Sequence, residues 1–215
     1  DISYIYDSKT YETFEITNYN SHGFRGNEFL EDKPLDIFRI ITVGGSTTAG
    51  VNSDGNTYPS FLQKLFLKNG FKNVEIINAG ISGLTSSQEV KLIEQKLLNY
   101  EPDVLIVYDG WNDMRAHLGE SFGIYDWDKF GLNADASINK ETSAPDTWKE
   151  RWTQFCSEYE GQVKTFVVLE PVLGFSDRLL TNYEYSTFLK NNNVITSNLS
   201  LYDEYASHLP EIAEK

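Results

Sequence analysis

Three short segments hold the residues whose types and spacing suit chemistry: Gly44-Gly45-Ser46-Thr47-Thr48, Asn78-Ala79-Gly80-Ile81-Ser82-Gly83 and Gly110-Trp111-Asn112-Asp113. A glycine-rich turn with Ser and Thr can cradle phosphate, but no Lys follows the first segment as a P-loop requires, which disfavours nucleotide binding. A serine on a sharp turn between a strand and a helix holds its hydroxyl exposed. Its backbone N–H, near a helix N-terminus, is placed to stabilise an oxyanion. Taken alone, Ser46 reads equally as a turn serine that caps a helix.

The elements that must position these segments are legible as alternating strands and helices. Ile37 to Val43 is a β-branched, mostly apolar run ending at Gly44-Gly45, the pattern of a buried strand entering a tight turn. Pro59 followed by Phe61, Leu62, Leu65 and Phe66 puts apolar residues on one helical face, with Gly70 placed to end it. Val74 to Asn78 is strand-like. Ser86 with Glu89 reads as a capping box opening a helix through Val90, Ile93 and Leu97. Val104 to Tyr108, five consecutive apolar residues, suits a strand covered on both faces at the sheet centre. Residues 109 to 145 read as a long Gly-, Asp-, Asn- and aromatic-rich loop, a type usually tied to function. Trp148, Trp152, Phe155 and Tyr159 then share one helical face and read as core, before a strand from Thr165 to Leu169. Tyr202, Tyr205, Leu209 and Ile212 mark a last helix.

Strand and helix alternating four times predict an α/β fold, a three-layer α/β/α arrangement around a doubly wound, mainly parallel sheet. In such sheets ligands bind outside the carboxyl ends of the strands, where the three segments fall. The 215 residues suit one domain, read as 37–215, with residues 1–36 as an N-terminal extension lying on it. Hydrophobic residues make up 40% and charged residues 23%, the balance of a globular chain. The formal charge of −14 repels phosphate backbones and anionic lipid heads, so neither nucleic acid nor a membrane surface is an expected partner. The single Cys156 excludes an internal disulfide, and no Cys/His spacing suits zinc.

In order and spacing, the three blocks resemble the SGNH (GDSL-like) hydrolase family. Ser21-His22-Gly23-Phe24-Arg25-Gly26 also looks like a lead-in found ahead of the nucleophile strand in some bacterial-type members. The resemblance covers roughly residues 20–215. It implies a flavodoxin-like sheet and a serine esterase, with Ser46 matching the nucleophile and Gly83 and Asn112 the oxyanion-hole positions. Ester cleavage passes through a tetrahedral anion, and the N–H groups of Ser46 and Gly83 with the Asn112 amide would supply three converging donors. Thr47, Trp111, Asp113 and His117 are further candidates for substrate contact. The chemistry requires no metal or organic cofactor.

Two departures stand out. The first block commonly reads Gly-Asp-Ser, whereas position 45 here is Gly. The family's base is a histidine in a C-terminal Asp-x-x-His block, and this sequence has none. A serine hydroxyl needs a base to take its proton. His22 reads as a structural residue bonding a backbone carbonyl, His208 as a surface or helix-packing residue, and His117 as a pocket-lining residue rather than the base. The expectation is therefore that the block lies beyond Lys215, that the α/β unit is cut short, and that this chain alone hydrolyses feebly.

The expected function is hydrolysis of a carboxylic ester, including a carbohydrate O-acetyl group, through a Ser46 acyl-enzyme. Acyl transfer to a polysaccharide hydroxyl, and a non-catalytic carbohydrate-binding module, are the alternatives. Trp111, Phe122, Tyr125, Trp127 and Phe130 would stack on sugar rings, cover a lipid chain or bury against the domain. The start at Asp1 and the family's company favour an exported protein whose N-terminal signal or anchor has been removed.

Overall fold

The computed structural model describes residues 18–50, 54–119, 144–170 and 199–213. Its β-branched runs form four strands: β1 (Phe38–Gly44), β2 (Val74–Asn78), β3 (Val104–Asp109) and β4 (Lys164–Leu169). Among the described residues the strand pairings are parallel, in the order β2-β1-β3-β4, with an isolated antiparallel bridge from Arg25 to Asn78, so the predicted mainly parallel sheet is present with β1 and β3 inside it. The helices are α1 (Ser46–Ala49), α2 (Tyr58–Lys68), α3 (Ser86–Gln95), α4 (Trp111–His117), α5 (Pro145–Glu158) and α6 (Leu199–Ala213).

Alternation along the strands divides the core in two. Ile40, Val74 and Val104 face one layer, with Phe66 of α2 packed on them. Ile41, Val43, Ile77, Leu105 and Val107 face the other, with Leu92 and Ile93 of α3, Trp148 and Trp152 of α5, and Tyr205 of α6. Phe24, 1% exposed, belongs to this second cluster, so the segment ahead of β1 contributes to the core.

Three local expectations are corrected. The box opening α3 is Thr85 with Gln88, each side chain bonding the other's backbone N–H, and Ser86 with Glu89 lies one residue inside it. The stretch read as a loop from 109 begins instead with α4, whose acidic first turn suits a helix start. On α2, Phe61 and Leu65 are exposed. Helical spacing alone does not bury a face: of the residues read as that face, Phe66 packs on the sheet and Pro59 is buried. By contrast, the aromatic face of α5 is core as predicted, with both tryptophans fully buried.

Candidate active site

The parallel register brings the three segments to one edge. Gly44 pairs with Tyr108, so the turn after β1 and the helix after β3 leave the sheet at the same height. Beyond the last β1–β2 pair, Ala79 donates to the Thr42 carbonyl at 2.9 Å and Ile81 to the Gly44 carbonyl at 2.9 Å. These bonds carry the second segment up alongside the Ser46 turn.

Glycine is needed here for close approach. A Cβ on Gly80 would stand 2.3 Å from the Ala49 nitrogen and 2.6 Å from the Thr48 carbonyl carbon, both backbone atoms of α1. A Cβ on Gly45 would stand 2.4 Å from Asn112 Nδ2 and 3.9 Å from the Gly83 nitrogen. One point beside the serine turn is therefore flanked by the two expected donors that come from other segments.

Ser46 opens α1 and is exposed, while Gly45, Thr48 and Ala49 around it are buried. The first N–H groups of a helix have no intrahelical acceptor, so Ser46 N–H is available at this edge. Asn112 is buried, and its amide donates to the Leu84 carbonyl at 2.7 Å. That bond fixes the side-chain plane and leaves the second amide hydrogen for a ligand. Gly83 has φ +82, a conformation glycine adopts freely, in the turn before α3.

The rear of α1 is held from the N-terminal segment. Arg25, nearly buried, donates from its guanidinium to the Ala49 carbonyl at 2.7 Å and to the Gly50 carbonyl. The lead-in motif thus meets the helix that opens at Ser46 directly.

Below the edge lies a buried acidic group. Asp113, expected at the substrate, is instead fully buried: its carboxylate accepts from Ser86 N–H at 2.7 Å and Ser86 Oγ at 2.6 Å. The Arg151 guanidinium stands 3.8 Å away and also bonds Ser86 Oγ. Asp109 accepts from the Trp148 and Trp152 indoles at 2.8 and 3.2 Å. Burial raises the pKa of both acids, and the nearby charge of Asp109 pushes Asp113 up further. Glu89, fully buried with neither carboxylate oxygen hydrogen-bonded, is likewise held well above the usual carboxylate range by burial and by these neighbouring acids.

Sequence reasoning missed Glu170. It follows β4 as Gly45, Ala79 and Gly110 follow the other strands, and it is 7% exposed. Burial, together with the nearby charge of Asp109, pushes its pKa up to about 7. Its position at a strand's carboxyl end was the available signal.

Of the other candidates, Thr47 is exposed at the edge and Trp111 is half-buried, with Arg115 over its ring at 5.9 Å. His117 ends α4, exposed. His22 stacks on Phe29 at 4.1 Å and donates from Nε2 to the Phe29 carbonyl at 3.1 Å, the structural role expected of it. His208 faces Asp146 of α5 at 3.5 Å, a helix-packing position. Phe122, Tyr125, Trp127 and Phe130 lie outside the described residues. Among the described residues no group of His, Cys, Asp and Glu is arranged to hold a metal ion, and no helix is long and apolar enough to cross a membrane.

Residues 42–129, which span all three segments, match the GDSL-like lipase/acylhydrolase family. The match supports an ester hydrolase, in agreement with an exposed Ser46 beside the Asn112 amide and the Gly83 N–H. The fold resembles that of the acetyl xylan esterase AlAXEase, at 19% identity over 82% of this chain and 73% of that one, with a TM-score of 0.54. It also resembles a variant of Axe2, an acetyl xylan esterase from Geobacillus stearothermophilus, at 16% identity over 84% and 75% of the two chains (TM-score 0.51). TesA is similar at 14% identity over 82% and 73% (TM-score 0.51). At these identities the likeness is one of fold. No curated protein matches the chain.

Proposed function

We propose that this GDSL-family protein is a serine esterase that cleaves small acyl esters, with carbohydrate O-acetyl groups as the substrate class, through an acyl-enzyme on Ser46. The observation that carries this reading is the point flanked by Asn112 Nδ2 and Gly83 N–H beside the Ser46 turn. Ser46 Oγ adds to the ester carbonyl, and the oxygen that becomes negative receives hydrogen bonds from Ser46 N–H, Gly83 N–H and the Asn112 amide. Collapse breaks the acyl–oxygen bond, the alcohol leaves with a proton, and water then releases the acid by the same path. The Asn112–Leu84 bond fixes the amide before substrate arrives, which is the condition for such stabilisation to act without reorganisation.

His22 and His208 are occupied elsewhere and His117 ends α4, so we assign the proton transfer to none of the three. Support for the acetyl and carbohydrate part of the reading comes from two relatives of the same fold that are named acetyl xylan esterases. The test is labelling with an aryl phosphonate and mapping of the modified residue, together with turnover of p-nitrophenyl acetate and an acetylated xylo-oligosaccharide. Ser46 should carry the label, and Ser46→Ala should abolish both labelling and turnover. Unchanged turnover in Ser46→Ala would overturn the esterase assignment. Turnover of the aryl ester without release of acetate from the oligosaccharide would remove only the carbohydrate part.

A further inference from the structure

Helix α2 packs on the sheet through Phe66 and turns another face to solvent. On that face Phe61, Lys64, Leu65 and Lys68 fall at i, i+3, i+4 and i+7, one stripe of the helix. Phe61 and Leu65 are 55% and 56% exposed, and Leu67 and Phe71, at the end of α2 and just past it, are almost as open. Single exposed apolar residues are ordinary, but a cluster of them on one element marks a surface that meets an apolar partner. Phe71 is held in place, its ring edge-on to that of Phe66 at 5.9 Å.

The charge of this stretch is the reverse of the chain's. Between Asp54 and Glu75 stand Lys64, Lys68 and Lys72 and no acid, in a chain of formal charge −14. All three lysines are exposed. Lys64 Nζ lies over the Phe61 ring, 5.0 Å from its centre, so a cation and an aromatic ring present themselves together. Of the neighbouring acids, Glu75 is paired with Arg39 Nε at 2.7 Å. Asp36, whose carbonyl accepts from the Asn73 amide, adds one negative charge at the far end of the stretch.

We propose that the outer face of α2 docks the protein on an anionic lipid bilayer, with Phe61 and Leu65 entering between the headgroups and Lys64, Lys68 and Lys72 meeting their phosphates. The overall negative charge does not oppose this contact, because at physiological salt charges are screened beyond about 8 Å and the bilayer meets the face turned to it. A second copy fits this face less well, since two-fold pairing sets lysines against lysines with no acid between them. The helix runs the length of the sheet. Its cap, Thr57, lies against Gly50 at the end of α1, where a Cβ would stand 2.6 Å from the threonine methyl. At the other end, the Asn73 carbonyl accepts from the Phe38 N–H at the start of β1. With α2 in the membrane plane, the active-site edge opens along the lipid surface. The inference goes beyond the esterase reading and needs no part of it.

The test uses the full chain and vesicles of phosphatidylcholine with about 30% phosphatidylglycerol. In co-sedimentation at about 0.1 M salt the protein should pellet with these vesicles, stay in solution with phosphatidylcholine alone, and be released at about 0.5 M salt. Lys68→Gln with Lys72→Gln should weaken binding about 20- to 30-fold, since each lysine at an anionic surface contributes about fivefold. Phe61→Ser with Leu65→Ser should weaken it at least about tenfold while keeping the salt dependence. These side chains are exposed, so both variants should unfold in urea as the wild type does. Ser46→Ala should bind vesicles as the wild type does, which separates this result from the fate of the esterase reading. Wild-type protein that ignores the anionic vesicles, or variants that bind them unchanged, would overturn the proposal. So would pelleting without vesicles that the lysine variant abolishes, which would make the face a contact between copies. Binding of poly-L-glutamate but not of vesicles would assign the face to an acidic protein and overturn the proposal likewise.

Discussion

A Cβ on Gly45 would lie 2.4 Å from the side-chain nitrogen of Asn112, so the smallness of one residue is what admits the amide of the other. The family's usual acid at this position would occupy the same space. Gly45→Asp should therefore impair the protein despite moving it toward the family pattern. The expected outcome is a fall in Ser46 phosphonate labelling of about 100-fold or more, the effect of displacing one oxyanion donor. Labelling kinetics with mass-spectrometric detection would check it, and a rate equal to wild type would show that Asn112 does not stand at the oxyanion.

Asn112→Ala removes the same donor without adding bulk. Turnover of p-nitrophenyl acetate should fall about 100- to 1,000-fold with little change in KM, because the interaction is made in the transition state. The bond to the Leu84 carbonyl is also lost, with a stability cost of about 1 kcal/mol. Steady-state kinetics beside a urea melt separate the two effects. A rise in KM at constant kcat would instead mark Asn112 as a ground-state binding residue.

Gly80→Ala tests how closely the second segment approaches α1. Its new methyl would meet backbone atoms of Thr48 and Ala49, which cannot rotate aside as a side-chain tip can. A loss of about 1–3 kcal/mol in urea unfolding is expected from overpacking. Slower Ser46 labelling should accompany it, since α1 must move to relieve the contact.

The buried acids give stability an unusual pH dependence. Glu89, Asp109, Asp113 and Glu170 all have raised pKa values, chiefly from burial, so the folded chain holds protons that the unfolded chain has released. Their contribution is complete below the unfolded pKa values near 4 and is lost as pH rises through the folded ones, at about 7 for Glu170. Each proton so held contributes about 1.4 kcal/mol per pH unit. Glu28, whose pKa hydrogen bonds from Ser21 lower, works in the opposite sense, but only as pH falls below the ordinary glutamate range. Thermal melts should show Tm declining from pH 5 to pH 8. Glu89→Gln, which keeps the shape without the ionisable group, should flatten that slope and raise Tm at pH 8. A Tm rising over this range would contradict it.

Much of this was legible in the sequence because the sheet obeys one strong rule: β-branched runs ending in glycine became strands ending at a turn, and Val74–Asn78 kept the bounds read from it. Ser46, Gly83 and Asn112 stand out in the sequence because each follows such a run. Short-range patterns were less decisive. Thr85-x-x-Gln88 and Ser86-x-x-Glu89 both satisfy the capping-box pattern, and the choice is settled by Asp113, 27 residues along the chain, which takes the N–H and hydroxyl of Ser86. Helix α4 was hidden because Trp111, Asn112 and Asp113 are weak helix formers individually, although an acid in the first turn is favourable. The long-range partners of Asp113 and Glu170 leave no local signature, so their burial could be known only from the fold.

The hold that Arg25 exerts on Ala49 and Gly50 sets a boundary that strand prediction alone would misplace. A shortened polypeptide begun at Phe38 would retain all four strands and Ser46, Gly83 and Asn112. It would nevertheless surrender the only guanidinium described at the back of the serine's helix, and with Phe24 a piece of the interior. A shortened form should therefore begin upstream of the sheet and keep Phe24 and Arg25.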